Sequence, residues 1–138
     1  DMAMELASTR ENNAFLPGCS LPMQLQIGFE VKPVLMEADV VVFSVPDERL
    51  KNRCQTVARY LDSSVALKWA ITLGAGIEEA VSSQAADFVK EYLPGVSHAE
   101  LTATGSAKEL ADGKPGVVRL DGAGEDPLFS QVKEAIVL

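Results

Sequence analysis

No stretch of this chain supplies the roughly 20 consecutive apolar residues that a bilayer-spanning helix needs, so no transmembrane helix is expected. Basic residues are scarce, with 12 Lys and Arg against 20 Asp and Glu and a net charge of −8. That deficit does not suit the phosphate backbone of a nucleic acid, and no nucleic-acid partner is expected. It leaves open a phosphorylated small molecule, because helix N-termini and a few local cations can hold one. There are only two cysteines, Cys19 and Cys54, and one histidine, His98. The cysteine spacing matches no metal or redox motif, which implies two reduced thiols in a cytosol or an organelle stroma and no structural zinc or other metal site. The start, Asp1-Met2-Ala3-Met4-Glu5, lacks the basic head and apolar run of a signal peptide. Since it does not begin with Met, a fragment or processed product is expected. Internal repeats and low-complexity tracts are also lacking.

What the chain does have is apolar content, 47% of 138 residues, enough for one buried core and a single domain over 1–138. Met2 to Arg10 reads as the last turns of a helix. Leu16-Pro17-Gly18 reads as a turn, Leu21-Pro22 as a second stop, and Gln24 to Gly28 as a short half-buried strand. A brief helix is expected over Val34 to Glu37. Ala38 to Pro46 carries the β-branched run Val40-Val41-Val42, the pattern of a parallel strand covered on both faces. Leu50, Cys54, Val57, Ala58 and Leu61 then fall on one helical stripe, with Asp47 as its N-cap. Val65 to Thr72 reads as a second buried strand and Gly74-Ala75-Gly76 as a break. A helix follows from Ile77 to Tyr92, ended by Leu93-Pro94-Gly95. Weaker strands are expected at Ala99 to Thr104 and Gly116 to Leu120, a surface loop at Asp121 to Asp126, and a final helix over Asp126 to Val137 with Leu128, Val132, Ala135 and Ile136 inward. Trp69 reads as core, His98 as an exposed residue of a polar turn, and Lys108 and Glu109 as a solvated helix pair. The alternation of strand and helix implies an α/β fold with a mainly parallel sheet and helices on both faces.

Several segments, in order, resemble the NAD(P)-dependent glycerol-3-phosphate dehydrogenases. Glu5 to Asn12, with Arg10-Glu11-Asn12, followed by Phe15-Leu16-Pro17-Gly18, looks like the family's R-E-N…Y-L-P-G segment, and Leu21-Pro22 the L-P after it. Ala38-Asp39 through Ser44-Val45-Pro46 resembles its A-D…V-P strand. Gly76-Ile77-Glu78 is similar to its K-G-I-E segment, and Tyr92-Leu93-Pro94-Gly95 to the helix end that follows. Thr104 to Glu109 with Gly113-Lys114-Pro115 looks like a shortened S-G-P-S-F-A-x-E…G-x-P-T. The resemblance runs over nearly the whole chain, and it implies a Rossmann-like dinucleotide-binding domain, incomplete here. It further implies NAD or NADP as cofactor, a small phosphate ester as substrate, hydride transfer between them, and a cytoplasmic or stromal setting. Val45, Pro46 and Ala107 would line the cofactor, and Gly105 and Ser106 the substrate. The strand ends at Val45-Pro46, Thr72 to Gly76 and Thr104 to Ala107 would face one crevice, with helix N-termini able to hold a phosphate.

The chain departs from that family where chemistry is done. The glycine-rich phosphate fingerprint is expected upstream of residue 1. Gly74-Ala75-Gly76 does not replace it, since Glu79 stands where a third glycine belongs. By the resemblance, Thr72-Leu73-Gly74 puts Leu73 at the position of the catalytic lysine, with Ala75-Gly76 as an extra pair that distorts the register before Ile77-Glu78; leucine cannot donate a proton or balance alkoxide charge, so no catalytic residue is assigned. Lys68, five residues earlier, reads as lying inside the strand. Arg49 replaces an aromatic after Pro46, and the family's helical substrate domain would follow Leu138. Two readings follow: a truncated or divergent dehydrogenase, inactive as this chain alone, or a non-catalytic binding or interaction module that keeps the fold. A 2-hydroxyacid or ketopantoate type is a third, opposed by the R-E-N…L-P-G segment. Without a first strand the sheet would have a bare edge, implying self-association, or a rearranged sheet with Gln24 to Gly28 beside Val40 to Val45.

Overall fold

The computed structural model describes residues 2–62, 65–74, 83–122 and 127–136. The chain divides into two compact units. One comprises Asp1–Glu30 and Gly105–Gly116, the other Val31–Thr104 and Val117–Leu138.

In the first unit, helix α1 (Met2–Thr9) leads into a two-stranded antiparallel ribbon, β1 (Glu11–Asn12) and β2 (Leu16–Ser20), and α5 (Ala107–Ala111) contacts β2. Leu16-Pro17-Gly18, expected as a turn, is instead the first half of β2; the reversal falls just before it, at residues 13–15. The strand is short and irregular, with a register shift between Glu11 and Asn12, which is how it tolerates Pro17. Gln24 to Gly28 forms no strand, and Leu25 is 48% exposed. Its alternating pattern was a weak guide because neither side of it meets a packed layer. Arg10, with φ +60, donates from Nη2 to the carbonyls of Pro22 and Leu25, the latter at 2.9 Å, so the most distinctive motif residue clamps a loop.

The second unit is a four-stranded sheet in the order β3 (Val40–Phe43), β4 (Trp69–Leu73), β5 (Ser97–Ala103), β6 (Val118–Gly122). The first three are parallel and β6 is antiparallel to β5. The helices are α2 (Val31–Leu35), α3 (Asp47–Ala58), α4 (Ser83–Tyr92) and α6 (Pro127–Ile136). The rearranged sheet does not occur: β3 is the edge, and the ribbon of the first unit is a separate sheet.

Period-2 alternation divides the sheet's side chains between two cores. Phe43 and Ala70 join Leu50, Cys54 and Val57 of α3 and Ala85 and Val89 of α4 in one. Trp69, Ile71, Ala99 and Leu120 form the other, against Leu128, Phe129 and Val132 of α6. Trp69 stacks on Phe129 with ring centroids 4.8 Å apart. The expected stripe of α3 is observed for Leu50, Cys54, Val57 and Ala58, while Leu61 packs against the same core from beyond the helix end. Asp47 is not its N-cap; that position is Pro46, with no side-chain cap bond, and Asp47 lies in the first turn. The brief helix begins at Val31 rather than Val34, and β4 at Trp69 rather than Val65. Residues 121 and 122, expected as loop, extend β6. β3 is not covered on both faces, since Val42 is 54% exposed. The helix expected from Ile77, the Gly74-Ala75-Gly76 break beyond Gly74, the inner-face positions of Ala135 and Ile136, and the loop at 123–126 fall partly or wholly outside the described residues.

Candidate functional site

Because β3, β4 and β5 are parallel neighbours, their carboxyl ends lie along one edge of the sheet, where open α/β sheets bind ligands. Val45 and Pro46 follow β3 there: Val45 is half-buried against the core and Pro46 is exposed, with extended backbone that turns the chain into α3. The start of α3 offers backbone N–H groups, but Asp47 and Glu48 already occupy its first turn and oppose a second anion. Leu73 closes β4, 42% exposed. Gly74 continues from it and donates its N–H to Leu101 O at 2.8 Å.

Lys68 lies at the opposite edge, immediately before β4 rather than within it. Its Nζ is 3.9 Å from Asp39 Oδ1. Five residues of extended chain are about 16 Å, so this ammonium does not stand in for a lysine at position 73.

Behind the carboxyl edge, on the face covered by α3 and α4, is a run of polar side chains that the sequence reading did not single out. Thr72, Glu100 and Thr102 are each 2% exposed. Thr72 Oγ1 and His98 Nε2 share a hydrogen bond of 2.7 Å, so His98 belongs to β5 and is half-buried rather than in an exposed turn. Burial holds its imidazole below the ordinary pKa of 6.5, because desolvation penalises the cation. Thr102 Oγ1 is buried with no hydrogen-bond partner. A methyl at Gly74 would overlap Thr102 Cγ2 and come within 2.5 Å of Glu100 Oε1, so this glycine is required by close approach. The signal was the alternation His98, Glu100, Thr102 in β5, which by itself reads as a solvent-facing side.

Gly105, Ser106 and Ala107 belong to the other unit and are all exposed. Ser106 is the N-cap of α5, its Oγ accepting from the Glu109 N–H at 3.2 Å while Glu109 Oε2 accepts from the Ser106 N–H at 2.8 Å. Gly105 has φ +82, and a Cβ there would sit 3.0 Å from Glu109 Oε2, so glycine is what this capping box admits. The box uses up two amides and puts a carboxylate where a phosphate would approach. Lys108 is paired with Asp112 at 2.6 Å, and that contact raises its pKa, so the expected solvated pair is replaced by a pair of Lys108 with Asp112 and a cap made by Glu109.

Tested against a dinucleotide, these residues make a partial fit. Val45 and Pro46 offer an apolar wall at the carboxyl edge, but the described residues include no glycine-rich cradle for a pyrophosphate, and the start of α5 is closed by its own side chains. Among the described residues no group of three metal-ligating side chains occurs.

The family described as NAD-dependent glycerol-3-phosphate dehydrogenase N-terminus matches residues 1–123. Curated relatives include the glycerol-3-phosphate dehydrogenase, NAD(P)+, of Anaplasma phagocytophilum, 32% identical over 123 residues, and that of Roseobacter denitrificans, 33% over 124. These alignments take in 88% and 90% of this chain but 37% of each relative, so the chain spans little more than a third of their length. Among solved structures, a glycerol-3-phosphate dehydrogenase from Coxiella burnetii superposes with a TM-score of 0.78 at 19% identity, over 99% of this chain and 39% of that one. One from Plasmodium falciparum gives 0.75 at 21%, over 94% and 36%. These two show the shared fold. With the sheet order, the strand ends and the match over 1–123 all in agreement, this chain belongs to the N-terminal, NAD-dependent glycerol-3-phosphate dehydrogenase family.

Proposed function

We propose that this chain is the cofactor-facing part of a glycerol-3-phosphate dehydrogenase that, by itself, does not catalyse hydride transfer between NAD(P)H and dihydroxyacetone phosphate. The observation that carries this reading is Leu73 at the carboxyl end of β4, where the family's lysine would stand. Reduction of the ketone places negative charge on its oxygen as the hydride arrives, and a proton donor or a fixed cation must meet it. Leu73 offers neither, and Lys68 is engaged with Asp39 at the other edge.

A bound cofactor would supply the hydride. This chain would contribute Val45, Pro46 and Ala107 as contacts for it, and Gly105 and Ser106 as contacts for the phosphate ester. The acidic first turn of α3 and the closed start of α5 support weak phosphate binding, in the millimolar range or weaker, since each remaining polar contact is worth only about 1–3 kcal/mol. The same features favour the non-catalytic reading over a damaged but working enzyme. The bare edge of β3 supports self-association of this chain.

The test is an assay of NADH oxidation with dihydroxyacetone phosphate at high protein concentration, paired with an NMR titration using NADH and glycerol 3-phosphate. Expected are no turnover above a heat-killed control and weak shifts confined to residues 45–46, 72–74 and 104–107. Turnover clearly above the control overturns the inactive reading; shifts elsewhere overturn the assignment of the contacts.

A further inference from the structure

A strand edge and a helix flank meet at the open side of the four-stranded sheet. β3 ends the strand order, so the N–H and C=O groups of Val40 and Val42, which point away from β4, pair with no described strand. Val42 lies on the sheet face opposite α3 and α4 and is 54% exposed. Such an edge accepts an added strand, with main-chain bonds supplying affinity and alternate side chains supplying selectivity.

The charge beside this edge is unlike that of the rest of the chain. The net charge is −8, yet residues 49–61 carry Arg49, Lys51, Arg53 and Arg59 and no acid. All four are exposed, and none has an ion-pair partner among the described residues. Arg49 and Arg53 are four apart, a like-charged pair that weakens a helix, and Arg49 sits in the first turn, where the macrodipole favours anions. Helix stability therefore does not account for them. Ala58 shares a depression with Tyr92 and Val96, so that flank of α3 faces α4. At about 3.6 residues per turn, Arg49 and Arg53 fall on the opposite flank, toward the open side of β3, and Asp47 and Glu48 fall outside that flank.

We propose that the edge of β3 binds an extended acidic segment of another protein as an added strand. Carboxylates on its α3 side meet Arg49 and Arg53, and an apolar side chain on its other side covers Val42. The proposal rests on the reading of this edge as open to association, and it ranks the occupants. A second copy pairing antiparallel here brings its own Arg49 and Arg53 to the same side, cation against cation. Self-association is thus the weaker use of the edge, and an acidic segment displaces it.

The experiment is an NMR titration of the ¹⁵N-labelled 138-residue chain with a capped heptapeptide of alternating glutamate and valine. Two control peptides carry glutamine or lysine in place of glutamate. Salt is held at about 0.1 M, which screens the chain's net negative charge beyond about 10 Å and leaves contact pairs largely intact. Light scattering of the chain with and without peptide runs in parallel. The expected result is saturable binding of the glutamate peptide, with the Val40 and Val42 amides slowed in exchange with water and self-association reduced. The glutamine peptide should bind about tenfold more weakly, roughly threefold for each arginine contact, and the lysine peptide not at all. In the double variant Arg49→Gln, Arg53→Gln the glutamate and glutamine peptides should bind alike. Equal affinity for those two peptides in the unaltered chain overturns the proposal, as do shifts along α3 without protection of Val40 and Val42. A chain that self-associates but ignores the glutamate peptide overturns it and keeps the association edge. A monomeric chain that binds the peptide supports it and removes self-association, and a chain that does neither removes both.

Discussion

His98 shows how one residue's role depends on what its neighbours exclude. It follows Pro94-Gly95 in a polar stretch, yet it sits in β5 with its ring bonded to Thr72 and partly withdrawn from water. Its pKa in the folded chain lies below the ordinary 6.5 of the unfolded chain. As the pH falls through that window the unfolded state takes up the proton first, so stability declines with acidification below about 6.5 and the contribution is constant above it. As the chain's one histidine, it gives a single imidazole titration curve, which should show the lowered midpoint. His98→Gln should flatten the dependence of the denaturation midpoint on pH just below about 6.5. The two cysteines differ for the same reason of burial. Cys54 is fully buried on the inner face of α3, and desolvation pushes its thiol up to about 11, whereas Cys19 is only half-buried. Alkylation at pH 8 should therefore label Cys19 and spare Cys54 until the chain is unfolded, as mass spectrometry of the native and denatured protein would show; equal labelling in the native state would contradict the packing.

At the scale of elements, the most constrained contact is where β4 ends against β5. Gly74 has no room for a side chain, because Thr102 and Glu100 stand where a Cβ would go. Gly74→Ala should destabilise the chain by about 1–3 kcal/mol, read from chemical denaturation, because rigid strands surround the intruding methyl. Thr102→Val tests the same junction with the opposite sign. The Thr102 hydroxyl is buried without a partner, so its replacement by a methyl should be neutral or stabilising by about 1 kcal/mol. A marked loss of stability in Thr102→Val would mean that the hydroxyl has a partner in solution. Elements also explain the unexpected residues of the motif-bearing segments. Arg10 holds the Pro22–Leu25 loop, while Gly105, Ser106 and Glu109 close the start of α5. Both sets of residues carry the family resemblance while acting in this chain as backbone supports.

For the whole molecule, the exposed edge of β3 has the clearest consequence. Asp39 O accepts from the Lys68 and Trp69 amides, which sets the alternation so that the backbone groups of Val40 and Val42 point away from β4. No proline, charge or bulge guards the strand Val40-Val41-Val42-Phe43, and Val42 is more than half exposed. Pairing with a second copy would satisfy those groups and cover Val42. Light scattering at rising concentration should show association of the chain, and Val42→Lys should shift it toward monomer by placing a charge on the edge strand. A wild-type chain that stays monomeric throughout would remove self-association from the proposed function.

The strand Val40–Phe43, the stripe of α3, the stop at Pro94-Gly95 and the parallel α/β architecture were legible in the sequence, because each is written in local terms: a β-branched run, a 3.6-residue period, a chain breaker. The family resemblance was legible for a similar reason, as residues in a fixed order. Other features depended on contacts between distant segments. Whether alternating His98, Glu100 and Thr102 face water or a core depends on α3 and α4 covering that side of the sheet. Gln24 to Gly28 has a strand's pattern but found no neighbour to pair with, and Leu16 to Gly18 has a turn's residues but found one in β1. Strand pairing and burial are properties of two segments at once, so only the tertiary structure decided them.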